Sequence, residues 1–163
     1  NGARVLNFSV VGPLDSLLRQ EIEAAIVKGA VVVASAGNGG PSQPPAYPAS
    51  YDGVIAVTAV DGSDKVMTEA ARGRHISVAA PGVDIPAPTS TRGYAAASGT
   101  SLAAAHVSGV VAMMLERKPA LRAAEVRTIL ERTARKPSAA TGQAAKDVGA
   151  GIIDPVRALE ALR

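Results

Sequence analysis

The sequence predicts an α/β fold in three layers, with a mostly parallel sheet flanked by helices. In the first half of the chain, short apolar runs typical of strands alternate with amphipathic helical segments. Connections of this order between parallel strands are right-handed, which places helices on both faces of the sheet. One run, 31–36, is apolar at nearly every position, as expected for a strand covered on both faces.

The predicted strands lie in the first half of the chain. An apolar run at 5–11 is ended by a Gly-Pro turn. A helix fits 15–28, because Asp15 or Ser16 can cap its start and Gly29 follows its end. The other strands are predicted at 31–36, 54–60 and 76–80, with a loop rich in Gly and Pro at 37–48.

The second half is predicted to be helical. Segment 100–117 is rich in Ala and other small residues, and segment 123–133 is amphipathic. A last helix begins after Asp154 as N-cap, with Pro155 at its first position. The polar segment 136–149 contains Gly and is predicted to be a surface loop.

Composition excludes several classes of protein. Apolar residues make up 47% and aromatic residues 2% of the chain, so a core of Ala, Val, Leu and Ile is expected. The net charge of +3 is spread over mixed signs, which indicates no nucleic-acid interface. Cysteine is absent, which excludes disulfides and thiolate sites. No apolar run is long enough to span a bilayer, so no membrane partner is expected.

The most informative segment is 98–109, in which Gly-Thr-Ser leads directly into a helix rich in Ala. Ser101 would lie at the N-terminus of this helix, where unpaired amides favour developing negative charge. Taken alone, such a Ser is an ordinary helix cap. The whole segment, however, resembles the nucleophile motif of the subtilisin-like serine proteases (subtilases), Gly-Thr-Ser-x-Ala-x-Pro-His-Val. The resemblance implies that Ser101 is the nucleophile and His106 the histidine of the motif, with Ala105 where the family usually has Pro.

A second match follows the strand predicted at 31–36. An Asn-Gly pair by itself usually indicates a turn. Here the sequence Ala-Gly-Asn, ending at Asn38, resembles the family segment whose Asn amide donates to the tetrahedral oxyanion. The resemblance therefore implies that Asn38 is a catalytic residue. Weaker matches in the same order extend the resemblance over nearly the whole chain, at 4–13, 47–57, 79–85 and 149–154.

The resemblance also implies a catalytic Asp and a catalytic His that precede the nucleophile along the chain. Their motifs, Asp-x-Gly and His-Gly-Thr, do not occur before Ser101. The two histidines present are His75, predicted to be a solvated loop residue, and His106, predicted to be a structural helix residue. Ser101 is thus expected to lack a base, and without one its hydroxyl is a poor nucleophile.

We therefore expect 1–163 to be the C-terminal portion of a single catalytic domain of a serine endopeptidase, inactive on its own. The apolar run close to Asn1 supports this interpretation, because a strand that begins so early indicates a chain cut within a fold. Its expected partners are a peptide or protein substrate and either the missing N-terminal half or another copy of itself. The alternative is a non-catalytic or degenerate subtilase-like domain that acts as a binding module.

By resemblance, a substrate peptide would lie as an added strand between 9–12 and a segment around Tyr94. The pocket for the residue before the scissile bond would be lined by small, uncharged residues. This lining predicts a broad preference for Leu, Met, Phe or Tyr. The residues that the resemblance assigns to substrate binding are Ser9, Val11, Gly12, Ser35, Gly37 and Ala46.

No cofactor is expected, and no residue is assigned as a metal ligand. The acidic residues Asp61, Asp64 and Asp84 are scattered, without the spacing of a calcium loop. Members of the family can hold a structural calcium through backbone carbonyls, so such an ion is compatible with the complete domain. The resemblance implies a secreted or periplasmic protein.

Overall fold

The computed structural model describes residues 2–90, 92–138 and 147–163. Its central element is a sheet of four parallel strands in the order β1-β2-β3-β4. The strands are β1 (Val5–Phe8), β2 (Val31–Ser35), β3 (Ile55–Val60) and β4 (Ile76–Pro81). Every residue of β2 and β3 is buried, which confirms that these apolar runs are strands covered on both faces.

Helices cover both faces of this sheet, as predicted. The helices are α1 (Ser16–Val27), α2 (Thr100–Arg117), α3 (Ala123–Thr133) and α4 (Pro155–Glu160). Because side chains alternate along a strand, Val32 packs with Ile22 of α1, whereas Val33 packs with the opposite helical layer, α2 to α4. The three-layer α/β architecture is confirmed.

The helix ends follow from local chemistry. The carboxylate of Asp15 accepts a hydrogen bond from the amide of Leu18 at 2.8 Å and so caps α1. Gly29 follows the helix with φ of +93°, a conformation in which other residues are strained. Asp154 caps α4 in the same way, through the amide of Arg157 at 3.0 Å.

One strand prediction needs correction, and a second sheet was not predicted. β1 ends at Phe8, so the predicted strand at 5–11 is too long and residues 9–11 lie outside the sheet. A second, antiparallel sheet is formed by β5 (Ile85–Pro88) and β6 (Tyr94–Ala97), and the sequence analysis did not predict it. Residues 139–146 of the predicted surface loop lie outside the described residues.

A single arginine ties β1 to two distant parts of the chain. The guanidinium of Arg4 donates from Nε to the carbonyl oxygen of Gly29 at 2.9 Å. It also donates to the carbonyl oxygens of Pro119 and Leu121, both at 3.0 Å. The start of β1 is thereby fixed to the end of α1 and to the connection between α2 and α3. On its other side β1 has no strand partner within the described ranges.

Helix α2 is apolar on two sides, only one of which is covered. The side facing the sheet is buried and includes Ala104, Val107 and Met114. The other side forms one wall of an open groove of about 640 Å³, and β5 forms the opposite wall. The α2 residues along this groove are Leu102, Ala105, His106, Gly109, Val110 and Met113.

Candidate active site

The N-terminus of α2 is held against the sheet by close backbone packing. The amide of Gly99, the residue before the helix, donates to the carbonyl oxygen of Gly82 at 2.7 Å. A side chain at Gly82 would place its Cβ 2.8 Å from the carbonyl oxygen of Gly99 and 2.7 Å from the Cβ of Ala59. Glycine at this position therefore permits the approach that brings the start of α2 to the end of β3 and β4.

Thr100 links this helix start to Asn38, which follows β2. The side-chain oxygen Oδ1 of Asn38 accepts hydrogen bonds from the amide of Thr100 at 3.0 Å and from its hydroxyl at 2.9 Å. The same hydroxyl accepts from the amide of Gly37 at 3.2 Å. With Oδ1 occupied twice, the amide nitrogen Nδ2 of Asn38 remains as the donor on the exposed side of the loop.

Thr100 was missed by the sequence analysis as a site residue. It is fully buried, and its amide and hydroxyl bond to residues 37 and 38, more than 60 positions away in the sequence. A Thr before a helix normally indicates a local cap, so the sequence carries no sign of this long-range role. Its position between Gly99 and Ser101 is the one signal that was available.

Ser101 is half-buried in the first turn of α2 and lies beside Ser9, just beyond the end of β1. Its hydroxyl donates to the carbonyl oxygen of Ser9 at 3.5 Å, and the hydroxyl of Ser9 donates to the carbonyl oxygen of Ser101, also at 3.5 Å. Both contacts are at the long limit of a hydrogen bond. The amide of Thr100 donates to Asn38 and that of Leu102 donates to the carbonyl oxygen of Gly99 at 3.1 Å. The amide of Ser101 has no acceptor among the described residues, so it is the first-turn donor that can stabilise negative charge near Ser101.

Neither histidine serves Ser101 as a base in this structure. His106 is exposed, borders the groove on α2, and its Nδ1 pairs with the carbonyl oxygen of Leu102 at 2.9 Å, as expected of a structural helix histidine. The prediction of a solvated His75 is wrong in part. His75 is half-buried, its Nε2 is buried without a partner in the described chain, and burial lowers its pKa.

The predicted substrate-binding residues fall into two groups. Ser9 and Val11 are exposed beyond the end of β1, and the residue after Val11, Gly12, forms an antiparallel bridge with Tyr47. That bridge brings 9–12 alongside buried Ala46.

The second group lies at the end of β2. Ser35 and Gly37 are buried there, and Gly37 has φ of +107°. The side chain of Gln43 folds over this loop, since a Cβ on Gly37 would lie 2.7 Å from Nε2 of Gln43. Gln43 is thus a second residue near the site that the sequence analysis missed.

The described residues hold no group of three or more His, Cys, Asp or Glu side chains that could bind a metal ion. Among the same residues, no helix is both long and apolar enough to cross a membrane. Tyr94, proposed to flank a bound peptide, is exposed in β6 and pairs with Pro88 of β5.

Comparisons with known proteins place these features in a family context. A model of the subtilase family matches residues 1–151 of the chain. Subtilisin DY of Bacillus licheniformis is 41% identical over 138 residues, which cover 82% of this chain and 50% of the relative. Thermitase of Thermoactinomyces vulgaris is 40% identical over 138 residues, covering 84% of this chain and 48% of the relative.

Solved structures show the same likeness. A protease of Pseudoalteromonas arctica superposes with a TM-score of 0.89 at 29% identity, covering all of this chain and 52% of the other. Fervidolysin of Fervidobacterium pennivorans, described as a keratinolytic enzyme related to subtilisin, superposes with a TM-score of 0.86 at 34% identity, covering 98% of this chain and 27% of the other. The chain spans about half the length of the first of these curated relatives.

Proposed function

Since this chain belongs to the subtilase family, we propose that it carries the nucleophile part of a serine endopeptidase, which cleaves peptide bonds through an acyl-enzyme on Ser101. The observation that carries the proposal is the pairing of Thr100 with Asn38. Two hydrogen bonds at 2.9 Å and 3.0 Å occupy the side-chain oxygen of Asn38. The donor end of the amide stays free beside the first turn of α2, where an oxyanion formed on Ser101 needs stabilisation.

The base and its orienting carboxylate come, in this proposal, from residues outside 1–163. Ser101 has no histidine partner among the described residues, and its hydroxyl is held only by the long contact to Ser9. A Ser without a base keeps its ordinary pKa and attacks slowly. The chain by itself is therefore inactive, and the missing Asp and His arrive with an N-terminal half that completes the catalytic triad.

Two uncovered features of the molecule are where such a half would bind. One edge of β1 has no strand partner in the described chain, and the apolar groove between α2 and β5 lies on α2 beside Ser101. An unpaired strand edge and an uncovered apolar wall both favour association. In the absence of the N-terminal half, a second copy of the chain is the alternative partner. By resemblance to its relatives, the complete protein would be secreted or periplasmic.

The substrate would bind as an extended peptide along 9–12. Val10 and Val11 are 63% and 48% exposed, and their backbone groups make no hydrogen bond within the described chain. Free backbone donors and acceptors allow an added strand to bind without reading its sequence. By resemblance, the pocket for the residue before the scissile bond would be bordered by the uncharged residues Ser35, Gly37 and Ala46, so we propose a broad preference for Leu, Met, Phe or Tyr at that position.

Labelling with a fluorophosphonate probe tests the nucleophile. The chain alone should not react, and it should react once the N-terminal half is added. Ser101→Ala should abolish labelling of the complex, whereas Ser63→Ala, which removes an exposed turn hydroxyl, should leave it unchanged. If the complete complex is not labelled at all, the non-catalytic binding module becomes the better account of the chain.

Peptide cleavage by the same complex tests the remaining assignments. Asn38→Ala should lower kcat by about a hundred- to a thousand-fold, the range measured for the corresponding donor in a subtilisin, and should change KM little. A peptide library should be cut mainly after large apolar residues. Cleavage chiefly after Arg or Lys would contradict the pocket assignment.

A further inference from the structure

An exposed polar side chain, that of Asn7, lies on the edge strand β1 on the side that faces α2. Val5, Asn7 and Ser9 alternate with Leu6 and Phe8 along β1, so the odd positions face α2. Asn7 is directly opposite Val33 of β2, and Val33 is opposite Ile55 of β3. Both of these neighbours are fully buried in the core. Asn7 thus occupies the edge position of an otherwise apolar row.

Both ends of the Asn7 amide are hydrogen-bonded. The hydroxyl of Ser108 on α2 donates to Oδ1 of Asn7 at 2.9 Å. Nδ2 of Asn7 donates to the hydroxyl of Ser9, also at 2.9 Å. Ser108 is seven residues after Ser101, two helical turns along the same side of α2. The amide therefore joins the nucleophile helix to the first residue beyond β1.

Ser9 in turn makes the closest polar contacts to the candidate nucleophile. The hydroxyl of Ser9 reaches the carbonyl oxygen of Ser101, and the hydroxyl of Ser101 reaches the carbonyl oxygen of Ser9. Both distances are 3.5 Å, at the long limit of a hydrogen bond, so the two serines are in contact but need a further restraint to hold one geometry. The short bonds at 2.9 Å belong to Asn7, so Asn7 and not Ser101 determines where the Ser9 hydroxyl lies.

We infer that Asn7 is a positioning residue for Ser101, anchored by Ser108 and acting through the hydroxyl of Ser9. This inference rests on the proposed function, in which Ser101 is the nucleophile. The link sets the separation between the end of β1, where the substrate would lie, and the helix turn that presents the Ser101 hydroxyl. Small displacements of a reacting group are costly, because attack requires near-contact geometry.

The effect should fall on kcat and not on KM. The backbone of β1 is held by its ladder with β2, from Val5 opposite Val31 to Phe8 opposite Ala34, and that ladder does not involve the Asn7 side chain. Removing the amide leaves the peptide-binding backbone in place. What is lost is the restraint on the Ser9 hydroxyl and, through it, on the first turn of α2.

Cleavage kinetics of the complex with the N-terminal half test the inference. Asn7→Ala should lower kcat about ten-fold and Ser108→Ala about three-fold, with KM within two-fold, as expected for the loss of one or two hydrogen bonds. Asn7→Asp keeps the shape and the acceptor for Ser108 but offers Ser9 no donor. The Ser9 hydroxyl would then donate to the carboxylate and give up its contact with the carbonyl oxygen of Ser101, so kcat should again be lowered. Thr128→Ala, which removes an exposed helix hydroxyl on α3, is the control and should change nothing.

A double variant decides whether Asn7 acts through Ser9. In a Ser9→Ala background, Asn7→Ala should lower kcat by less than two-fold, because the shared link is already broken. An undiminished ten-fold loss in that background, or an unchanged kcat in both Asn7→Asp and Asn7→Ala, overturns the inference. If Ser101→Ala retains activity, the proposed function itself is wrong. If Ser101→Ala is inactive and the Asn7 variants are normal, only the positioning role is lost.

Discussion

The two sides of α2 have the same chemistry but opposite surroundings. The side toward the sheet carries Ala104, Val107 and Met114, all fully buried. The side toward β5 carries Ala105, Gly109 and Met113, and these border an open groove. A helix that is apolar all round is normally buried all round. The comparison shows that the amino-acid pattern of α2 is suited to two covering layers, while the described chain supplies one.

The adjacent methionines give the largest expected difference between the two sides. Met114→Ala should lower the free energy of unfolding by about 2–5 kcal/mol, because it leaves a cavity in the core. Met113→Ala, at a position 42% exposed, should change it by about 0.5 kcal/mol or less. Urea denaturation followed by circular dichroism measures both. Equal losses would show that the groove side is already covered.

Substitution of two glycines, one on each side of α2, should change the stability of the chain in opposite directions. Gly82→Ala should destabilise the chain by about 1–3 kcal/mol, since its Cβ would overlap Ala59 and the backbone of Gly99. Gly109→Ala should stabilise it by about 1 kcal/mol, because a Cβ there meets nothing within 4 Å and Ala favours the helix. Thermal melts of the two variants provide the measurement. A destabilised Gly109→Ala would mean that the groove is filled.

The isolated chain should associate through the uncovered side of α2, the side toward β5. We expect the isolated chain to bind an apolar dye and to self-associate in light scattering. Met113→Glu should weaken this association about ten-fold, because a charge would have to be buried in the contact. The matched change Thr128→Glu on α3 should have no effect. A monodisperse monomer that binds no dye would contradict the idea of an unfilled layer.

The smallest effect is expected far from both sides of α2, at the ion pair of Asp64 and Arg135. The Arg135 guanidinium, with help from Ser138, holds the pKa of the Asp64 carboxyl well below its usual range. A depressed pKa contributes stability above about pH 4, and this contribution is lost as the pH falls toward the folded-state pKa. Asp64→Asn should therefore cost about 1 kcal/mol or less at pH 7 and a smaller amount at pH 2, where part of the contribution is already lost. Urea midpoints at the two pH values measure the difference, and equal losses at both would remove the ion pair as its cause.

The helices were predictable because their signals are local. Asp15 and Asp154 mark helix starts by capping with their side chains, and Gly29 marks a helix end by its positive φ. The structure has α2 and α3 with the predicted bounds. The early end of β1 was not predictable. Val10 and Val11 are apolar, which fits a continued strand, but in the structure they lie exposed beyond the end of β1. The hairpin of β5 and β6 was hidden because two of the four residues of β5 are Pro, which argues against a strand.

The candidate site was predictable only as far as its motifs. Ser101 and Asn38 could be named from local sequence, but nothing in the sequence indicates that the Thr100 hydroxyl joins them. His75 became half-buried for a similar reason. A side chain on Gly73 would lie 2.7 Å from Nδ1 of His75, so the ring occupies space that a glycine leaves empty. Contacts of this kind depend on packing, which a single sequence does not show.

Arg4 also has a consequence for the way in which the protein is made. Its guanidinium binds a carbonyl 115 residues later in the chain. At a synthesis rate of about 5–20 residues per second, that partner emerges roughly 6–23 s after Arg4 itself. During this interval on the ribosome, β1 can pair with β2 but cannot be fastened to the helical layer. Nascent chains at this stage would be the form most exposed to chaperones and to degradation.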